Sequence, residues 1–508
     1  MGNFMSGIKD TLNNEYNVSV TENGAVGYRT TGKSLLDLNF SVASLRSVSE
    51  KEISKRFTKA FFEDKLLAMK WLFYARDARG GLGERRLFRS CMAPLAQEFP
   101  EYVKPVVKLI PEYGRWDDLW CLLETPVRDT VIELVGVQLH EDVRNMENHK
   151  SVSLLAKWMP RPKASSNQAR HYAQILIQAL NMTKPDYKRT LSTLCRYMRV
   201  VEIQMSEQKW DEIDYQCVPS RANLIYNNTF LRHDEERRRF FLEQLKTGKA
   251  TIHADTLFPH DIANKYRYVN GVDDTLEALW NNLPDTVNGC GNTMVVADDS
   301  GSMTWVTLPG SSARPLEVAS ALAVYFSERS SGQFKNQFIT FSENPQLIDL
   351  SRGKNLKEKL SIVSSAHVGA STNIEAVFDL ILTTAIKKRM EQSELPANIL
   401  IISDMEFNRC SCSNSGWGRV SDRLFDEINK KYQNAGYKMP RLVFWNVASR
   451  TGTIPVKEND MGVALVSGFS VNIAKMVMSD KLDPYDCLLE AINAPRYQPV
   501  DDAIRPII

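Results

Sequence analysis

The chain of 508 residues is long enough for roughly two to four domains, and its 43% hydrophobic content can fill sizeable cores. A formal net charge of +2 excludes a polycation, so any nucleic-acid surface has to be local. No apolar run reaches the roughly eighteen residues of a membrane span, so no membrane partner is expected. The first residues, MGNFMSGIKD, lack the apolar core of a secretory signal, although Gly2 and Ser6 fit the short and permissive myristoylation pattern. Eight cysteines without a repeated framework point to free thiols in a reducing, cytoplasmic setting.

In chain order, residues 1–50 are polar with one apolar patch, SLLDLNFSVASL, and are expected to be an extension packing on a helical domain. From 51 to 285 apolar residues recur three and four apart, as in FTKAFFEDKLLAMKWLFYARD and HYAQILIQALN. Pro- and Gly-containing breaks (RGGLG, IPEYG, WMPRP, NMTKPD, CVPS) separate these stretches. The pattern predicts an irregular, HEAT-like array of helices without a fixed sequence period.

The character changes near Gly291, and residues 286–508 form the last expected domain. The strand NTMVVADDS is followed by the helix PLEVASALAVYFSER, the strand QFITF and the helix NIEAVFDLILTTAIKK. Next come the strand NILIISD, the helix VSDRLFDEINKKYQ, the strands RLVFWNV and GVALVSGF, and the helix YDCLLEAINA. Alternation of strands and helices predicts a doubly wound, Rossmann-like parallel sheet, giving an α plus α/β chain overall. Ligands of such sheets bind beyond the carboxyl ends of the strands, where VVADDS and IISD both end.

Asp298, Ser300 and Ser302 stand two apart directly after the first strand. Wrapped around a turn, they can aim one carboxylate and two hydroxyls at one point, the hard oxygen donors that Mg²⁺ prefers. Two further loops can close the site: GASTN, with Thr372 before a helix, and IISD, with Asp404 at a strand end. The bland alternative is a turn held by local side-chain-to-backbone bonds. Asp299 is expected to face elsewhere; Glu406 stands near enough to support the ligands from behind, with a solvated carboxylate the favoured reading.

These five positions resemble the metal-ion-dependent adhesion site of the von Willebrand factor A (vWA) family: Asp-x-Ser-x-Ser, then a Thr, then an Asp. The resemblance implies a bound Mg²⁺, Mn²⁺ or Ca²⁺ with an open coordination position that an acidic group of a partner fills.

Phrases of the first half, TENGAVGYRTTGKSLLDLNF, RDARGGLGERRLF, IPEYGRWDDLW, KWMPRPKASSN, VVEIQMSEQKWDEIDYQCVPS and LFPHDI, together with the metal motif, resemble the TROVE-like proteins related to the Ro autoantigens. These join a helical-repeat domain, closed into a ring in the Ro proteins, to a C-terminal vWA domain. The resemblance runs from about Thr21 to the C-terminus and implies a scaffold for small noncoding or misfolded RNA.

Residues 151–200 carry nine Lys/Arg against the single acid Asp186, a local charge of +8. Lys157, Arg161, Lys163, Arg170 and His171 surround the loop WMPRPKASSNQARH, and Lys188, Arg189, Arg196 and Arg199 follow on the next helical stretch. Such a segment suits phosphate contact, with Trp158 as a stacking candidate; a solvated helix face is the alternative. A second cluster, Arg76, Arg79, Arg85, Arg86 and Arg89 around Gly80, Gly81 and Gly83, suits either an anion cradled by backbone amides or a helix–helix turn whose arginines pair with Asp77, Glu84 or Asp117. The run RHDEERRR reads as a solvated helix, and Trp71, Trp116, Trp120 and Trp210 as core.

No set of nucleophile, base and acid, no HExxH and no paired catalytic carboxylates stand in a matching context, so no enzyme is expected. The Cys410-Ser411-Cys412 loop lacks a second cysteine pair at zinc-ligand spacing. Two expectations remain: an RNA-binding ribonucleoprotein scaffold, and a metal-dependent module gripping a partner carboxylate.

Overall fold

A computed structural model describes residues 16–287, 292–304, 307–308, 313–341, 345–366, 373–407, 424–456, 462–477 and 483–508. The chain divides into two compact units. One contains residues 50–257, 281–283 and 492–508; the other contains 1–49, 258–280 and 284–491.

The first unit is helical among its described residues. Its centre is the helix Lys65–Arg76, started by Asp64, whose carboxylate accepts the N–H of Leu67 at 2.9 Å. From Ala68 onward every residue of this helix is buried, because the helices Glu50–Glu63 and Arg85–Glu98 pack on it. Burial extends to Lys70, whose ammonium meets Asn493 Oδ1 at 2.6 Å and Asp501 Oδ1 at 3.2 Å. The last residues were expected in the sheet domain, but 492–508 belong here. Arg496 pairs with the wholly buried Asp77, and Tyr497 stacks on Tyr113 with centroids 5.7 Å apart.

The phrases RDARGGLGERRLF and IPEYGRWDDLW meet in one buried knot. Asp118, fully buried, accepts from Arg76 Nε and Arg89 Nε, each at 2.7 Å, and from the N–H of Arg115 at 2.9 Å. Gly81 is required where the turn closes on the preceding helix, since a Cβ there would stand 1.9 Å from the Tyr74 carbonyl oxygen. Further on, Ser166 and Thr183 cap the helices Asn167–Ala179 and Lys184–Tyr197.

The second unit is built on a six-stranded sheet. A hairpin of β1 (Val18–Val20) and β2 (Val26–Tyr28) precedes it, and its strands are β3 (Thr293–Asp298), β4 (Gln337–Phe341), β5 (Gln346–Asp349), β6 (Asn398–Ser403), β7 (Arg441–Asn446) and β8 (Val463–Ser467). Their order is β5-β4-β3-β6-β7-β8; all neighbours are parallel except β4 and β5. Counted within the sheet this is 3-2-1-4-5-6, the doubly wound order whose switch point lies between β3 and β6. Strands β6, β7 and β8 read as unbroken apolar runs because both faces are covered. The helix Pro315–Arg329 lies on the sheet with ten buried residues.

The described part of the N-terminal segment belongs to this sheet unit rather than to the helical domain expected for it. The reason is hydrogen bonding: Tyr28 and Ile454 exchange N–H···O bonds of 2.8 and 2.9 Å, and the N–H of Ala43 donates to Ser467 Oγ at 3.0 Å. Residues 258–280, expected to close the helical domain, also belong here. The helix Pro259–Ala263 packs on Pro315–Arg329, and Trp280 Nε1 donates to Glu328 Oε2 at 2.7 Å.

Candidate functional site

Asp298 is the last residue of β3 and is 1% exposed. Its Oδ1 accepts the N–H of Ser300 at 2.9 Å, a local turn that brings the Ser300 and Ser302 hydroxyls to 3.0 Å from each other. Strand β6 lies beside β3 with Ala297 opposite Ile402, so Asp404, one residue past the end of β6, arrives at the same edge. Ser403 joins the two loops: its Oγ donates to Asp298 Oδ2 at 2.6 Å and accepts the N–H of Met405 at 2.9 Å. Met405 takes φ 65°, turning the chain so that the N–H of Glu406 reaches Asp404 Oδ1 at 3.2 Å. The Ser302 hydroxyl also favours the charged form of the Asp404 carboxyl.

Burial pushes the Asp298 carboxyl above the usual aspartate range, and the charge of Asp404 adds to it against the hydrogen bonds from Ser300 and Ser403. Burial raises Asp404 too, opposed by Ser302 and Arg450. Two buried carboxyls that disfavour each other's ionisation, with two hydroxyls beside them, fit a hard divalent cation such as Mg²⁺, Mn²⁺ or Ca²⁺. Among the described residues no group of three or more His, Cys, Asp or Glu could hold a metal, so a cation here depends on the serine hydroxyls. Four of the five expected ligands thus converge. Thr372 lies outside the described residues, as do Cys290, Cys410, Cys412 and the N-terminal Gly2 and Ser6.

Behind these residues lies a second layer, of which the sequence named only Glu406 and favoured the wrong reading. Glu406 is fully buried, not solvated. Its Oε1 accepts the N–H groups of Arg450 and Thr451, each at 3.0 Å, and its Oε2 accepts the N–H of Glu22 at 2.9 Å. Thr21 Oγ1 donates to the Phe407 carbonyl at 2.6 Å, so the β1–β2 hairpin is pinned to the Asp404 loop. Arg450 Nη2 stands 2.7 Å from Glu22 Oε2 and 3.4 Å from Asp404 Oδ2. The only sequence signal for Arg450 is its place in the loop after β7, next to β6 in the sheet. Asp298 and Asp299 line a cavity of 390 Å³ together with Phe338, Thr340, Leu316 and Leu360.

The basic residues of the helical unit are distributed differently from the expectation. Lys157 pairs with Glu202 at 3.3 Å, His171 with Glu124 at 3.1 Å, Arg196 with Glu207 at 2.7 Å, and Arg189 with Asp186. Glu202 and Glu207 lie outside the 151–200 window and pair with counted cations, which is why a charge count over it overstates the free cations. Arg161 donates to the Ala156 carbonyl at 3.0 Å, and Arg170 folds onto the carbonyls of Ala164 and Ser165. Lys163, Lys188 and Arg199 are exposed, as are Arg79, Arg85 and Arg86. Trp158 is half-buried with the Arg115 guanidinium 3.8 Å above its ring, so that face is already covered.

The glycine-rich turn is no anion cradle. The amides of Gly81 and Gly83 both donate to the Asp77 carbonyl at 3.1 Å. Asp117 pairs with Arg89 of the cluster at 3.0 Å, as one expectation had it, and also with Arg115 at 2.6 Å, while Asp77 pairs with Arg496, which lies outside the cluster. In RHDEERRR, Arg238 is fully buried rather than solvated, among the rings of Tyr215, Phe230 and Phe241 and the side-chain oxygens of Asn223 and Asn227. Trp71 and Trp120 are core, whereas Trp116 and Trp210 are only half-buried. His260 is buried between Phe258 and Phe469. No helix among the described residues is long and apolar enough to cross a membrane.

Residues 292–490 match a family described as a domain of unknown function, DUF7788. Residues 21–129 and 125–297 match another so described, DUF2828. The chain is also similar to uncharacterized protein L728 of Acanthamoeba polyphaga mimivirus, 30% identical over 524 aligned residues that cover 95% of this chain and 89% of that protein. With more than half of its length matched, the chain belongs to the DUF2828 family.

Proposed function

We propose that the protein is a non-enzymatic, divalent-cation-dependent binding protein whose sheet unit is a vWA domain. The observation that carries this reading is the convergence of Asp298, Ser300, Ser302 and Asp404 at the carboxyl ends of β3 and β6, the switch point of a 3-2-1-4-5-6 sheet. Mg²⁺ is the favoured ion, with Mn²⁺ and Ca²⁺ as substitutes, and Thr372 completes the expected donor set. The cation supplies a Lewis-acidic position for an acidic group of a protein partner. The chain's own residues set the geometry: Ser403 orients Asp298, and Glu406 holds the loops after β6 and β7 together. A pull-down with an Asp-containing partner or peptide that depends on Mg²⁺ and is lost in Asp298→Ala tests this; binding indifferent to both overturns it.

A second reading is a TROVE-like RNA scaffold built on a HEAT-like helical unit. It is favoured by exposed Lys163, Lys184, Lys188 and Arg199, which among the described residues make no ion pair. Surface pairs such as Arg196–Glu207 are individually weak and can yield to phosphate. This reading predicts co-purifying small RNA with salt-sensitive binding, and a preparation free of RNA affinity at moderate salt overturns it. Both readings suit a cytoplasmic protein.

A further inference from the structure

We infer that Arg450 is a tethered counter-ion of the cation site, neutralising Asp404 when no divalent cation is bound and retiring to Glu22 when one is. The inference rests on the cation reading above and adds a control to it.

The geometry gives Arg450 two anionic neighbours at once. Its Nη2 is 2.7 Å from Glu22 Oε2 and 3.4 Å from Asp404 Oδ2, so one guanidinium is shared between the hairpin and the cation site. Asp404 is 2% exposed at its side chain and Glu22 is 48% exposed. The buried carboxylate needs a positive neighbour far more than the exposed one does. Where a divalent cation supplies that charge, the guanidinium is repelled, and Glu22, already 2.7 Å from it, offers it a seat.

The rest of the loop is held independently of this side chain. Glu406 takes the backbone N–H groups of Arg450 and Thr451, and Ser449 takes the N–H of Gly452 at 3.1 Å. Replacing the guanidinium therefore leaves the backbone frame in place. The same frame carries the hairpin, since Glu22 donates its own N–H to Glu406 and Asn23 Nδ2 donates to the Glu406 carbonyl at 2.5 Å. By linkage, a cation that drives Arg450 onto Glu22 strengthens the hairpin's hold, and a hairpin that lets go of Arg450 weakens cation binding.

This makes two variants of one ion pair move in opposite directions. Removing the arginine (Arg450→Gln) removes the competitor and tightens cation binding, on the order of tenfold for a unit charge removed beside a partly buried site. Removing its alternative seat (Glu22→Gln) leaves Arg450 committed to Asp404 and weakens binding several-fold. A purely structural clip would weaken binding in both, because both break the same ion pair. The experiment is Mn²⁺ titration by calorimetry and electron paramagnetic resonance on the full chain, for wild type, each single variant and the double. Thermal melts of each are run without cation.

The expected result is tightening in Arg450→Gln, weakening in Glu22→Gln, and a double variant that behaves as Arg450→Gln. Wild-type binding with both singles moving together, or with Arg450→Gln unchanged, overturns the inference alone. A wild type that takes up no Mn²⁺ overturns the cation reading and the inference with it.

Discussion

Ser403→Ala is the substitution that best separates positioning from mere stability at the proposed cation site. Ser403 Oγ gives Asp298 Oδ2 a 2.6 Å bond and receives the N–H of Met405 at 2.9 Å, with all three residues at or below 1% exposure. A hydrogen bond to a charged group contributes about 1.5–3 kcal/mol, and the stranded amide adds a desolvation cost of about 1 kcal/mol or more. Chemical denaturation of the sheet unit should therefore show a loss of about 2–4 kcal/mol. Cation affinity should fall about 10- to 100-fold, as for outer-shell partners of metal ligands. The matched control is Ser467→Ala, at the end of β8, where an equally buried hydroxyl accepts from Ala43 and donates to the Asn446 carbonyl at 3.1 Å. Its loss lowers stability while leaving cation affinity within about twofold, since its bonds are to backbone groups and not to Asp298. If Ser403→Ala binds Mg²⁺ as wild type does, or if both serines change affinity alike, Ser403 does not orient Asp298.

Without cation, stability should fall as pH rises above the 3.8 of an ordinary aspartate, because the raised Asp298 and Asp404 keep protons that the unfolded chain has released. Acids held low, such as Asp117, slope the other way at lower pH, so the readout is the difference between wild type and Asp298→Asn; Mg²⁺ should erase it, and a difference of opposite sign refutes the assignment. In the helical unit, Asp118→Asn leaves Arg76 buried with its pair broken and should cost about 3–5 kcal/mol by calorimetry; a cost under about 1 kcal/mol means the knot is not held by charge. For the RNA reading, Lys163→Gln, Lys184→Gln and Lys188→Gln together should weaken binding to a generic small RNA and flatten its salt dependence by about one unit of slope for each phosphate no longer neutralised. An unchanged slope removes that face from consideration.

The doubly wound sheet was legible because β3, β6, β7 and β8 are buried on both faces and read as apolar runs ending in small or acidic residues. The edge strand β5 was not, since three of its four residues, QLID, are exposed and carry no core pattern. Asp298, Ser300, Ser302 and Asp404 could be found because spacing and strand order put them at one edge. The burial of Glu406 and the role of Arg450 could not, because their partners are backbone amides and a glutamate hundreds of residues away, pairings without a local pattern. The domain boundaries moved for a similar reason: the helices at 34–40, 259–263 and 498–504 are too short for a helical period to show in the sequence, and nothing local says which core receives them. Charge counting in a fixed window failed where the partners of Lys157 and Arg196, Glu202 and Glu207, come from a neighbouring segment.

The most direct test of the central claim is equilibrium titration of the purified, chelator-treated chain with Mg²⁺ and Mn²⁺, wild type beside Asp298→Ala. The account predicts one divalent cation per wild-type chain and none at that site in the variant, with the variant otherwise folded. A wild type that binds no divalent cation, or an Asp298→Ala variant that binds it equally well, would contradict it.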